Sequence, residues 1–351
     1  MGAQRSRPRS VQIASLLFVI VIITTALLST PSQSQWRPPS TLSHLRDQLF
    51  LSNKTLYTSV ADSFFGDRYA FATFFNGMKE EREKDDDDLY FVATRLLGFQ
   101  LMHNKGTKSQ KYPFIVFVTP QVTQRKQDRL RRDGATVITL QDLHPERFNG
   151  TTDRWDAMFT KLRFFEQTQY DRIAYFDSDT LVVSNIDAIF DDPATQSHPN
   201  LNLTDGKPDE APQPETYVFA ATSEQFEDNH GWPPKSGDYF NAGCLVFKPS
   251  LQVFQHYMSM FAIPDRFRTF FMEQDLLNYA HRRDGNMPWK SLADDWNLNF
   301  ATGADFHHGV KTLHTKFWLP PDDTIGEMWK DVREKMEKFY EGWDAALDFF
   351  G

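Results

Sequence analysis

Four apolar residues, Ile173 to Phe176, run straight into two aspartates one residue apart, Asp177 and Asp179. Ile-Ala-Tyr-Phe offers no polar position for a solvated face, so it reads as a strand buried on both sides. Such strands belong to covered, largely parallel sheets, which points the chain toward α/β architectures. In open sheets of that class, ligands bind beyond the carboxyl ends of the strands. Paired carboxylates at that place offer hard oxygen ligands to Mg²⁺ or Mn²⁺, whose remaining sites go to substrate phosphates. Asp-Ser-Asp-Thr is also good turn and N-cap chemistry. The residues alone leave both readings open.

The flanking pattern supports the sheet. Tyr69–Phe75 and Pro113–Thr119 read as apolar strands, with a third at Thr136–Thr139. Between the first two, apolar residues at 92, 93, 96, 97 and 101 have helical spacing. Gln124–Arg132 reads as a charged helix, and Thr160–Gln167 as a helix leading into the Asp177 strand. Strand and helix in alternation predict right-handed βαβ units on a mostly parallel sheet. No Gly-x-Gly-x-x-Gly follows the first strand, where the sequence is Thr73-Phe-Phe-Asn-Gly-Met, so nicotinamide and flavin chemistry are disfavoured. Further strands are expected at Tyr217–Thr222, Phe240–Phe247 and Val310–His314. Helices are expected at Ser250–Met260, Glu273–Arg282 and, as a packed terminal element, Asp323–Phe350.

Charge and cysteine content remove other classes. The net charge is −9 and no basic tract interleaves with aromatics, so nucleic acid is not an expected partner. Cys244 is the single cysteine, which excludes an intrachain disulfide and a cysteine zinc site.

The amino terminus sets an expected location. Residues 11–28 are apolar, and no charge falls between Arg9 and Arg37. About 20 residues of helix cross a hydrocarbon core of roughly 30 Å. The apolar regions of cleaved signal peptides are shorter, about 7–15 residues. The expectation is a cytosolic tail at 1–10, a transmembrane signal anchor at 11–29 and a Pro/Ser/Thr/Gln-rich stem at 30–66. A lumenal domain at 67–351 follows, oriented by Arg5, Arg7 and Arg9. Sequons at Asn53, Asn149 and Asn202 agree with a secretory location, the Golgi or a neighbouring compartment.

Four ordered motifs carry a family resemblance. Asp156-Ala-Met-Phe-Thr-Lys-Leu-Arg-Phe-Phe continues through Arg172-Ile-Ala-Tyr-Phe-Asp-Ser-Asp-Thr. Tyr239-Phe-Asn-Ala-Gly, Glu273-Gln-Asp-Leu-Leu-Asn and Leu313-His-Thr-Lys-Phe-Trp come after it. Over about residues 68–320 the chain resembles the glycogenin-like glycosyltransferases of family 8. The resemblance implies a GT-A domain with a Rossmann-like nucleotide-binding half. It also implies a UDP-sugar donor, a divalent metal and transfer to a glycan or glycoconjugate acceptor with retention of anomeric configuration.

Residue by residue, the resemblance implies a metal set of Asp177, Asp179 and His314, with His307 and His308 as neighbouring competitors. An imidazole in the set favours Mn²⁺ over Mg²⁺. It places Phe71, Thr73 and Tyr90 at the uridine end, Asp177 and Ser178 at the diphosphate, and Asn241 and Gly243 around the donor sugar. Lys316 is the expected cation for the diphosphate, although only Thr315 separates it from His314 and Phe317 replaces the family's proline. Lys311 is the alternative. Lys161, Gln274 and Asp275 are the expected catalytic residues. The plain structural readings are a surface Lys161 paired with Glu166 or Asp156, and an Asp275 meeting a helix dipole. Retention by double displacement needs a carboxylate nucleophile, for which Asp275 is the candidate; same-face attack needs none.

Two other functions compete. Asp-Ser-Asp-Thr after an apolar strand also matches the nucleophile motif of haloacid-dehalogenase-like phosphatases, with Asp294-Asp295 as a poor second metal pair. A non-catalytic, membrane-anchored protein with an inherited fold is the other.

Overall fold

The computed structural model describes residues 68–77, 88–143, 157–203, 207–227 and 230–350. The expected tail, anchor and stem, the sequons at Asn53 and Asn149, and residues 79–87 of the charged stretch Lys79–Asp88, whose sequence reads as a solvated loop, lie outside the described residues. Among the described residues no helix is long and apolar enough to cross a membrane.

The chain alternates as its periodicities require. Strand β1 (Tyr69–Phe75) is followed by the helix Leu89–Met102, β2 (Phe114–Val118), the helix Gln124–Arg132 and β3 (Thr136–Thr139). A 3₁₀ helix, Ala157–Glu166, leads into β4 (Arg172–Phe176) and the short β5 (Thr180–Val182). β6 (His198–Pro199) and β7 (Thr216–Tyr217) form a small ribbon before β8 (Phe219–Ser223) and β9 (Phe240–Phe247). The helices Leu251–Phe261 and Glu273–Ala280, β10 (Lys290–Ser291), β11 (Leu298–Asn299), the short helix Gly303–His307 and β12 (Thr312–His314) follow. The helix Asp323–Phe350 closes the chain. The helix expected at Thr160–Gln167 is present as a 3₁₀ helix that begins at Ala157 and ends at Glu166. Phe159, Leu162 and Phe165 recur every third residue and are all buried, which suits three residues per turn.

The central sheet has seven strands in the order β10-β8-β9-β4-β1-β2-β3. All neighbours pair parallel except β9, which runs antiparallel to both β4 and β8. Alternate residues enter two separate cores. Ala70, Ala72 and Phe74 of β1 face one, together with Ile173 and Tyr175; Phe71 and Phe75 face the other, with Ala174 and Phe176. This two-sided burial is why the strands read as unbroken apolar runs. A third core lies between the Leu89–Met102 helix, a small sheet β11-β12-β5 and the terminal helix. The Leu89–Met102 helix therefore buries Phe91 and Leu97 on one side and Leu96 and Phe99 on another, and is apolar almost all round.

β9 carries a large irregularity. Ala221 pairs with Leu245, so Ser223 should meet residue 243; it meets Phe240 instead. The three extra residues are an odd number, so the faces exchange across the bulge: Phe240, Ala242 and then Leu245 all enter the same core. The backbone thrown out of register is Asn241–Gly243.

Candidate active site

Asp177 directly follows β4, and its N–H donates to the Gly243 carbonyl across the bulge at 2.8 Å. One oxygen of Asp177 is fully engaged: Oδ1 accepts from Lys161 Nζ at 2.9 Å and from the Tyr175 hydroxyl. Oδ2 faces the imidazole of His314, 3.8 Å from Nε2. Lys161 is buried and also contacts Glu273 at 3.1 Å. Burial by itself lowers an ammonium's pKa, but Asp177 and Glu273 outweigh it and hold Lys161 well above its ordinary value. The expected surface pair with Glu166 does not form, since Glu166 binds Arg163, and Asp156 lies outside the described residues.

Asp179 is buried between two cations, with Oδ1 3.1 Å from His314 Nε2 and Oδ2 3.1 Å from Lys316 Nζ. Burial opposes its charge, yet His314 and Lys316 hold the carboxyl far below the usual range. Its charge in turn raises His314 against the same burial.

Strand pairing makes this contact across 135 residues. β12 runs antiparallel to β5 with His314 opposite Thr180, and Thr315 N–H donates to the Asp179 carbonyl at 2.9 Å. β5 begins immediately after Asp179, so zipping β12 onto it sets the imidazole beside the carboxylates. Asp177, Asp179 and His314 each present a ligand atom within 4.8 Å of the others. Two carboxylates and one imidazole fit a hard divalent ion that tolerates nitrogen, and the clustering of His314 and Lys316 on Asp179 shows how strongly the site demands positive charge. His307 and His308 are not in this group; His308 stacks on Trp232 at 4.6 Å. Lys311 is committed elsewhere, salt-bridged to Asp295 and 4.0 Å over the Trp296 ring. Asp295 is thus tied up in that pair and is no member of the group.

The bulge supplies the next layer. Asn241 Oδ1 accepts from Gly243 N–H at 2.8 Å, and its Nδ2 reaches both oxygens of Glu224, at 3.0 and 3.1 Å. Gln274 donates to Glu224 at 2.8 Å and accepts from Ala242 N–H at 2.7 Å. Asn299, on β11 of the small sheet, also donates to Glu224. Glu224 was not among the residues expected from sequence. It stands directly after β8, an acid at a strand's carboxyl end like Asp177, and that position was the available signal. Burial raises its pKa despite the three amide donors.

Asp275 has both oxygens engaged: Oδ1 accepts from the Tyr239 hydroxyl and Oδ2 from Phe271 N–H, each at 2.7 Å. Its carboxylate joins two segments of chain and is 4% exposed. Ser178 is buried between the two aspartates.

The expected uridine end divides. Tyr90 sits edge-on to Trp318 at 4.7 Å, close enough to Lys316 for its hydroxyl to influence the ammonium. Phe71 does not join it. The ring is fully buried, packed against Tyr112, Phe176 and Phe190, and no face remains for a base. Its place on β1 turns it into the core opposite Ala70 and Ala72. Thr73 is likewise fully buried, with a hydroxyl that has no hydrogen-bond partner among the described residues.

Residues 88–316 match the family model of Glycosyl transferase family 8. An uncharacterised protein of Schizosaccharomyces pombe is 35% identical over 66% of this chain and 70% of its own length. Galactinol synthase 2 of Arabidopsis thaliana is 30% identical over 48% of this chain and 51% of its own length. Among solved structures, the bifunctional glycosyltransferase WbbM in its apo form aligns with 78% of this chain and 52% of its own, at a TM-score of 0.45 and 14% identity. This chain spans about half the length of the last two.

Proposed function

The chain belongs to glycosyltransferase family 8, enzymes that move a sugar from a nucleotide donor, and from that premise we propose a Mn²⁺-dependent, retaining UDP-sugar transferase. The donor sugar in this reading is a hexose or N-acetylhexosamine, glucose or N-acetylglucosamine first. The acceptor is a glycan or glycoconjugate. The observation that carries it is the Asp177, Asp179 and His314 group with Lys316 on its rim.

Asp177 Oδ2, Asp179 and His314 Nε2 would hold the ion, Mn²⁺ ahead of Mg²⁺. When bound, a divalent ion supplies Lewis-acid stabilisation of the diphosphate as the glycosidic bond breaks. Lys161 and Tyr175 fix the rear oxygen of Asp177, so the front oxygen keeps one direction. Lys316, with its side chain 43% exposed, reaches outward from Asp179 and can follow the diphosphate as a point charge. Glu224, aimed by three amides, and Gln274 line the sugar side. Tyr90 and Trp318 offer the aromatic surface at the base end. We read Asp275 as a positioning residue, since its oxygens already serve Tyr239 and Phe271.

The reading extends to location: a single-pass type II protein anchored by residues 11–29, with the catalytic domain in the Golgi lumen. The apolar run between Arg9 and Arg37 supports it. Protease protection in sealed microsomes tests it; digestion of the carboxyl-terminal domain from outside would refute it.

The decisive assay is a panel of UDP-sugars with Mn²⁺, scoring UDP release by the full-length chain in detergent. One UDP-hexose or UDP-N-acetylhexosamine should stand out, and chelation should abolish the signal. Release from other nucleotide sugars only would overturn the UDP assignment. Hydrolysis of p-nitrophenyl phosphate without nucleotide-sugar use would favour the phosphatase reading.

A further inference from the structure

A groove of about 1540 Å³ opens beside the Glu273–Ala280 helix, with Asp275 in its lining. Its wall is the segment Pro264–Met272 and its edge is Asp238-Tyr239. Phe270 is 79% exposed there. Its ring meets Phe271 at right angles, 4.7 Å between centroids, so the two present a corner. Tyr239 continues the line 6.3 Å from Phe271, and Phe226, 68% exposed, lies 6.5 Å beyond Tyr239. Tyr239 and Phe271 are half-buried between the two exposed rings, and an apolar strip rimmed by polar residues marks a ligand or partner site.

The ridge is tied to the reacting centre at both ends. Phe226 stands two residues after Glu224, and Phe271 three residues before Gln274. Asp275 locks its middle by accepting from the Tyr239 hydroxyl and from Phe271 N–H. Met272 reinforces the lock. It holds φ at +50°, which an L side chain adopts only where the surroundings impose it, and such strain gathers at functional sites.

The lining also selects a chemistry. Three aspartates, 238, 265 and 275, stand against three arginines, 266, 268 and 282. Arg266 is already neutralised by Asp209 and Glu210. With Arg266 set aside, two arginines face three aspartates, so the surface holds no surplus cation to draw an anionic ligand. Rings with an apolar C–H face and a rim of hydroxyls suit it: the faces stack on Phe270, Phe271 and Tyr239, and the exposed Asp238 and Arg268 meet the hydroxyls. The volume exceeds the roughly 300–1,000 Å³ of a pocket for one small molecule. We infer that this groove is the acceptor site and that the acceptor is a neutral oligosaccharide of at least two rings, not a single cyclic polyol and not an anionic sugar. This inference rests on the transferase reading above.

The test uses the full-length chain in detergent with Mn²⁺ and whichever UDP-sugar it hydrolyses. Acceptors are neutral di-, tri- and tetrasaccharides of glucose, galactose, mannose and xylose, their sulfated or uronic counterparts, and single-ring polyols. Neutral oligosaccharides should be glycosylated, with KM falling from two rings to three. Phe270→Ala and Arg268→Ala, both at exposed positions, should each raise acceptor KM tenfold or more while donor KM moves less than twofold. Unmoved acceptor KM in both variants, with donor turnover intact, overturns the groove assignment alone. Preference for charged acceptors or single polyols overturns the acceptor class. A change in molecular mass by light scattering in Phe270→Ala would instead make the ridge a contact between protein copies. Failure of the unaltered protein to turn over any nucleotide sugar sinks the transferase reading and this inference with it.

Discussion

The imidazole of His314 fills the space that any side chain at Gly243 would need: a Cβ built on residue 243 comes within 2.7 Å of His314 Nδ1. The β9 bulge and the β12 strand end meet there. The absence of a side chain on one is what lets the other reach Asp179.

Gly243→Ala should therefore push His314 off the carboxylates without unfolding the sheet. Activity is expected to fall by at least about 100-fold, with an unchanged far-ultraviolet circular dichroism spectrum and a weaker Mn²⁺ dependence, since lost support for a metal ligand alone costs about 10–100-fold. Activity within twofold of the parent would show that His314 is not a ligand.

Asp179→Asn removes the charge that draws His314 and Lys316 together. Turnover should be abolished while thermal unfolding stays cooperative. Full activity in this variant would remove the metal assignment altogether.

Lys316 and Lys311 separate cleanly. Lys316→Ala should raise donor KM and lower kcat, because the only ammonium on Asp179 among the described residues is gone. Lys311→Ala, which breaks a contact with Asp295 and Trp296, should leave donor KM within twofold. The reverse ranking would move the diphosphate contact to Lys311.

Lys161→Met leaves Asp177 and Glu273 facing each other without their shared cation. Removing one partner of a buried ionic group costs about 3–5 kcal/mol. Denaturant titration should show a loss of that order along with lost activity. Loss of activity at parental stability would instead make Lys161 a direct donor contact.

Acid stability should carry the signature of a buried histidine. His281 lies in the core, its ring bonded to the Tyr257 hydroxyl and to the Met287 carbonyl, and burial presses its pKa from 6.5 to about 3. The unfolded chain takes up this proton near pH 6.5 and the folded chain resists it to about pH 3. The contribution is thus complete above pH 6.5 and drains away as pH falls toward 3, about 2 kcal/mol by pH 5. Between pH 7 and 5 the stability difference between parent and His281→Gln should narrow by that amount. A constant difference would show that His281 takes up its proton in the folded state too.

Much of this was open to reading in the sequence alone. Ile173–Phe176 had to be a covered strand because it has no polar face, and Asp177 and Asp179 had to lie at its end. The period of Val92, Leu96 and Leu101 gave a helix, and the ordered motifs gave the family. These are local facts, set by which residues lie within a few positions of one another. What tertiary structure alone decided is the long-range pairing. β12 zips onto β5 and so brings His314 and Lys316, rather than His307, His308 or Lys311, beside Asp179. The odd-numbered bulge in β9 turns Asn241 toward Glu224, a residue the motifs did not single out. The alternation of β1 sends Phe71 into the core, where a base cannot reach it. A strand's sequence fixes its two faces, but its neighbours, through register and hydrogen bonding, choose which face meets the site.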